Sequence, residues 1–270
     1  MKPKTEELLN LLLWSADLLA RPTFRNLTDS YEGWAYRNGL RRELGTLETL
    51  QLLERDPNAL DDRLYRLTQK GRLHALGGRD PEDQWSRDWD GRWRLVLFDV
   101  PMAQHAHRGQ LRRYLRGRGF GCLQGSVWIT PEPVQGERAI LGGGQTNVKT
   151  LLFLEAQPCT GESDAQIVTG AWDFEAINGR YARQLKLLGQ RPDQPLHDQA
   201  AAKALQRWAA EERAAWHAAV RTDPLLPKRL LPPDYLGCRA WQQRIKVLRL
   251  AGQQLRTFEA RPPHAKLCFR

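Results

Sequence analysis

The chain has few of the residues that staple or anchor a protein. Its four cysteines, Cys122, Cys159, Cys238 and Cys268, are scattered through 270 residues with no Cys-x-x-Cys and no Cys/His cluster. That argues against a disulfide framework and a zinc site and suits a reducing, cytoplasmic setting. No apolar run nears the roughly 20 residues that span a bilayer. The leucines of the first twenty residues are interrupted by Asn10, Ser15 and Asp17 with no small-residue cleavage site behind them, so neither a membrane segment nor a signal peptide is expected. Gly142-Gly143-Gly144 lacks the Lys-Ser/Thr of a phosphate loop. There is no Ser/His/Asp signature and no pair of carboxylates at helical spacing in a plausible cleft, and His105-x-His107 reads as part of a polar loop. No enzyme and no cofactor are expected. Internal repeats and low-complexity tracts are also missing.

What is present is apolar mass and positive charge. The chain is 41% hydrophobic with ten tryptophans, enough for more than one core, and 41 Lys and Arg against 31 Asp and Glu leave a net charge of +10. The excess is uneven: +1 over residues 1–80, −3 over 81–90, +3 over 91–170 and +9 over 171–270. Such a balance favours an anionic partner. The stretch Gly77-Gly78-Arg79-Asp80-Pro81-Glu82-Asp83-Gln84 has no apolar residue and reads as a linker, residues 79–90. A softer boundary falls near Thr169-Gly170. The expected layout is therefore 1–78, a linker, 91–170 and 171–270.

The first block reads as a winged helix-turn-helix. Leu8, Leu9, Leu12, Leu13 and Leu19 mark one helix, Thr28-Asp29-Ser30 cap a second, and Leu40, Leu44, Leu47 and Leu50 anchor a third. The outer face of the third carries Arg37, Asn38, Arg41, Arg42 and Thr46, residue types that pair with base edges in a major groove. Leu52–Arg55 and Arg63–Thr68 follow as the strands of a wing, with Arg63 and Arg66 placed to hold phosphates of duplex DNA. Leu-Arg-Arg-Glu-Leu is also an ordinary solvated helix face. The block is only +1, and Asp56, Asp61 and Asp62 lie at the wing tip, so tight binding would need a dimer or basic surface elsewhere.

The middle block has the rhythm of a small ferredoxin-like βαββαβ sandwich. Arg92–Pro101 is a buried strand and a helix follows through Leu111, Tyr114 and Leu115 with Arg108, Arg112, Arg113, Arg116 and Arg118 outward. Phe120–Ile129, Thr150–Ala156 and Gln166–Val168 are read as strands and Glu137–Leu141 as a helical piece. The whole is thus expected to be an α+β protein of three parts, the last mainly helical.

Trp89-Asp90-Gly91-Arg92-Trp93, Gly119-Phe120-Gly121 and Ser126-Val127-Trp128-Ile129-x-Pro131 resemble the middle of the PaaX-type phenylacetic acid degradation repressors. Asp223-Pro224-Leu225-Leu226-Pro227-x-x-Leu230-Leu231-Pro232 is similar to that family's C-terminal signature. The resemblance implies a homodimeric transcriptional repressor that leaves its operator when an aryl-CoA thioester, phenylacetyl-CoA in the namesake members, binds. The middle block also resembles the small CRISPR-associated nuclease subunit, in which an Asp matching Asp99 binds a metal across a dimer interface. That implies a metal-dependent nuclease as one alternative; a DNA-binding protein without effector is the other.

The last block, helical over 172–188, 198–220 and 236–255, is where an acyl-CoA is expected to bind. Arg180, Arg183, Lys228, Arg229 and Arg239 are candidates for its phosphates, and Trp172, Tyr181, Trp216, Tyr235 and Trp241 for its walls. The same basic surface equally suits a flank that follows the DNA backbone.

Overall fold

The computed structural model describes residues 41–55, 65–76, 78–100, 105–134, 150–194 and 199–259. The first two expected helices, the wing tip and the helical piece near Glu137–Leu141 lie outside them. The described chain is α+β. In order it forms α1 (Arg41–Thr49), β1 (Leu53–Arg55), β2 (Tyr65–Leu67), α2 (Gln69–Ala75), α3 (Pro81–Trp85), β3 (Trp93–Asp99) and α4 (His105–Gly117). There follow β4 (Gly121–Gln124), β5 (Val127–Thr130), β6 (Thr150–Ala156), α5 (Asp164–Ala171), α6 (Phe174–Gly189), α7 (Gln199–Val220), a 3-10 turn (Lys228–Leu230) and α8 (Gly237–Glu259). None of the described helices is long and apolar enough to cross a membrane.

Two compact units arise from interleaved segments. One holds residues 1–79, 183–216 and 239–270; the other holds 80–182 and 217–238. The last hundred residues are thus shared between the units. Residues 79–90, expected as a linker, contain helix α3 with Pro81 and Trp85 buried. The same residues that suggest a loop explain the helix. Asp80 caps it by accepting from the Glu82 N–H, Pro81 occupies the first turn where no amide is needed, and Glu82 and Asp83 sit at the positive end of the dipole.

In the second unit β3 to β6 form one antiparallel sheet in the order β4-β5-β3-β6. β3 and β4 run parallel with β5 between them, the strand order of a ferredoxin-like sandwich. Two elements differ from the sequence reading. Phe120–Ile129 is a hairpin, not one strand: Gly125, at φ 52°, makes the tight turn and Gln124 pairs with Val127. Gln166–Val168 is helical, not extended. Ser163 accepts from the Gln166 amide and the Gln166 side chain returns to the Ser163 N–H, a capping box that starts α5.

One sheet face packs on α4 through Val96, Phe98, Leu111, Leu115 and Trp128. On the opposite face Trp172 lies flat on β4. A Cβ on Gly121 would sit 2.6 Å from its ring, so only glycine admits that approach, and the Trp172 Nε1–H donates to the Gly119 carbonyl at 3.2 Å. Trp93, buried beside it, donates to Asp164 at 2.9 Å and so ties β3 to α5.

The proline-rich loop after α7 is gathered around Asp223. Its buried carboxylate accepts from the Leu225 N–H at 2.8 Å, from the Tyr181 hydroxyl at 2.6 Å and from the Tyr235 hydroxyl. Arg87 donates to the Leu225 carbonyl at 2.9 Å and pairs with Glu132 at 2.6 Å. These bonds hold Leu225 at φ 52°, a backbone conformation that side-chain-bearing residues rarely adopt. The Asp-Pro-Leu-Leu-Pro signature is therefore a structural clasp.

Candidate nucleic-acid interface

In the first unit the segment from α1 to α2 is built around buried leucines. Leu47, Leu52, Leu53 and Leu67 are buried and Leu44 is half-buried, which fixes the inward face of α1. Leu50, expected on that face, is 41% exposed because the helix has already ended in a turn with Gln51 at φ 58°. The opposite face carries Arg42, Gly45, Thr46 and Thr49, all exposed. Thr46 turns its hydroxyl back to the Arg42 carbonyl at 2.8 Å, and a Cβ on Gly45 would meet nothing within 4 Å. The outward face is an open polar strip.

β1 and β2 pair antiparallel, with Leu53 opposite Leu67 and Arg55 opposite Tyr65. Behind them Thr68 joins three elements. Its hydroxyl donates to the Gln51 carbonyl at 2.7 Å and accepts from the Gly71 N–H at 2.9 Å, while its own N–H donates to the Leu52 carbonyl at 3.1 Å. It thus caps α2 and locks the ribbon to the end of α1. Gly71 lies so close that an added Cβ would stand 2.0 Å from the Leu52 carbonyl oxygen. Gly71→Ala is expected to destabilise the protein by about 2–3 kcal/mol through backbone overpacking, read as a shift of the urea midpoint. Lys70 donates to the Leu50 carbonyl at 2.9 Å.

Of the residues expected to read DNA, Arg42 and Thr46 share this exposed strip. Arg41 opens α1 and Arg66 lies in β2. Arg37, Asn38 and Arg63 lie outside the described residues. Charge is concentrated in the same unit. Its segments hold 27 Lys and Arg against 16 Asp and Glu, whereas the other unit holds 14 against 15. This pooling is invisible along the sequence, where the first 80 residues are almost neutral.

The expected effector residues are divided. Trp216 and Trp241 are core side chains of the first unit, their rings 5.3 Å apart and Trp216 donating to the Leu76 carbonyl at 3.2 Å. Tyr181 and Trp172 are likewise buried, and half-buried Tyr235 belongs to the Asp223 clasp. Arg180, Arg183, Lys228, Arg229 and Arg239 are exposed. The Arg229 guanidinium lies over the half-buried Trp89 ring at 5.5 Å. The arginines of α4 partly serve packing: Arg112 donates to the Gly125 carbonyl at 3.2 Å and Arg116 lies over Trp128 at 5.6 Å. Asp99 is exposed at the end of β3, and among the described residues no group of three His, Cys, Asp or Glu is placed to hold a metal. His105 and His107 are in the first turn of α4 rather than on a loop.

The sheet, its hairpin and the Trp93–Trp172 anchor define a protein built on a Cas2-like domain. Residues 86–168 match the family described as the PaaX protein central Cas2-like domain. The chain is 25% identical over 210 residues to the transcriptional repressor PaaX of Escherichia coli (strain K12), a match that covers 75% of this chain and 63% of that protein. Together these matches support a PaaX-type family for the chain. The fold extends to a solved structure, the uncharacterized protein Rv0674 from Mycobacterium tuberculosis, with a TM-score of 0.54 at 24% identity over 93% of this chain and 96% of that one.

Proposed function

We propose that this chain is a DNA-binding transcriptional regulator without enzymatic activity: a winged-helix repressor that binds an operator as a homodimer and is released by an aryl-CoA thioester. The observation that carries this reading is α1. A short helix that turns Leu44 and buried Leu47 inward presents Arg42 and Thr46 outward, is braced by an antiparallel ribbon, and belongs to a unit with a large cationic excess. The repressor named among its relatives supports the same reading.

The dimer is proposed through the second unit. β6 is an edge strand, and Leu152 and Leu154, each 48% exposed, share a sheet face with half-buried Leu95, Leu97 and Val127. Such an edge is a template for pairing with another strand. For the effector, Arg229 over the Trp89 ring, with Lys228 exposed next to it in sequence, offers cations and an aromatic face of the kind the phosphates and adenine of coenzyme A require.

Selection from a random-sequence duplex library with the full chain tests the reading. An enriched inverted repeat with half-sites about 10 base pairs apart is expected. Arg42→Ala should weaken binding to it by roughly 5- to 150-fold, the value of a bidentate base contact. Phenylacetyl-CoA should release it, and less so from K228A/R229A. Tenfold release needs about 1.4 kcal/mol of coupling between the sites. A library with no enriched sequence would sink the proposal.

A further inference from the structure

We infer that the outward face of α8 is a second DNA contact, a basic and amide-bearing stripe that follows the phosphate backbone. This rests on the DNA-binding reading above and extends it to residues that reading does not use. α8 is two-faced. Ala240, Trp241, Arg244, Val247, Leu248 and Ala251 are buried, while Arg239, Gln242, Gln243, Lys246, Arg249 and Gln253 are exposed, with Leu250 the one large apolar side chain among them at 41% exposure. Gln242 and Gln243 are adjacent and the other steps are three or four residues, so the six share one face of the helix. From Arg239 to Gln253 the row is about 21 Å long at 1.5 Å per residue.

The row has no carboxylate. Between Gly237 and Phe258 the helix contains no Asp or Glu at all. Solvated helices commonly mix the two signs, as α7 does with Arg207, Glu211 and Arg213. A face whose polar groups are all guanidinium, ammonium or amide repels cations and offers only donors and neutral amides to what approaches it.

Shape selects among anions. The side chains beneath the row form a closed core, with Leu248 and Ala251 packed against Leu188, Leu205 and Trp208. The row is the convex outside of a helix, which suits an extended polyanion better than a compact ligand. Each strand of duplex DNA carries a charge about every 3.4 Å of helix axis, so a 21 Å row spans roughly six phosphates of one strand. α8 from Arg239 onward belongs to the same compact unit as α1 and brings it much of its cationic excess. The near-neutral reading head thereby acquires the electrostatic attraction its own residues lack.

The test measures affinity of the full chain for a labelled 30-base-pair random-sequence duplex between 50 and 200 mM salt. Wild-type protein and R239A/K246A are compared, with matching circular dichroism melts. Loss of two phosphate contacts should lower the slope of log K against log salt by about 1.8 while the melt stays unchanged. K246E alone should lower affinity further than K246A. An unchanged slope in a folded variant overturns the stripe and leaves the DNA-binding reading intact. A wild-type chain that binds no duplex overturns both. A variant that keeps its DNA slope but loses calorimetric binding of coenzyme A makes the row an effector surface instead, and the inference fails.

Discussion

Glu212→Ala is expected to destabilise the protein by about 3–5 kcal/mol, near the upper end of what a single substitution does. Glu212 and Arg244 are both fully buried in the first unit, joined Nε to Oε1 at 2.8 Å and Nη2 to Oε2 at 3.3 Å. Gln184, also buried, donates to the same Oε1 at 3.0 Å, and the guanidinium lies over the Trp216 ring at 4.8 Å. Removing the carboxylate leaves a guanidinium with no compensating charge in a dry core, and the desolvation cost of that ion is what the measurement reads. The cost does not measure the worth of the pair, because an apolar replacement of both partners avoids it. The double variant E212L/R244M should therefore recover most of the lost stability. Urea unfolding of the two variants separates these expectations, and a double variant as unstable as the single one would contradict them.

Asp223→Ala should cost on the order of 4 kcal/mol. It removes the acceptor of two tyrosine hydroxyls and of the Leu225 amide, and each buried donor left without a partner costs about 1–3 kcal/mol. It also frees Leu225 from its left-handed backbone, which returns a part of the loss. The clasp has a pH signature. Burial first, and then the Asp223 carboxylate, push the Tyr235 hydroxyl far above the ordinary phenol range. The unfolded chain releases that proton near pH 10 while the folded chain keeps it. Its contribution is therefore complete below about pH 10 and is lost as pH rises beyond that. Over pH 8 to 11, the fall of the unfolding midpoint above about pH 10 should be steeper in the wild type than in Tyr235→Phe. Parallel curves would show that Tyr235 does not hold its proton on folding.

Much of the architecture was legible because it is written in local patterns. The leucines at 44, 47, 52, 53 and 67 marked the helix and the ribbon that follows it, since each element buries one face and period alone reveals which. The three long helices after residue 172 followed from the same periodicity. Two misread elements show where local pattern misleads. Phe120–Ile129 looked like one strand because apolar alternation continues across the turn, and only the left-handed φ of Gly125 folds it back. Gln166–Val168 looked extended because three residues show no period, whereas the cap at Ser163 starts a helix upstream of them.

The composition and the order of the chain determined its family resemblance, its apolar faces and the sign of its charge, because each is a property of residues near one another in sequence. The tertiary structure decided which segments share a unit. By pooling residues 183–216 and 239–270 with the first 79, it gathered a cationic excess into the unit that holds α1, a segment that sequence alone left almost neutral. It also turned Trp216 and Trp241 from expected ligand walls into core, and made Arg244 half of a buried pair. Charge and burial are sums over spatial neighbours, and the chain acquires those neighbours only on folding.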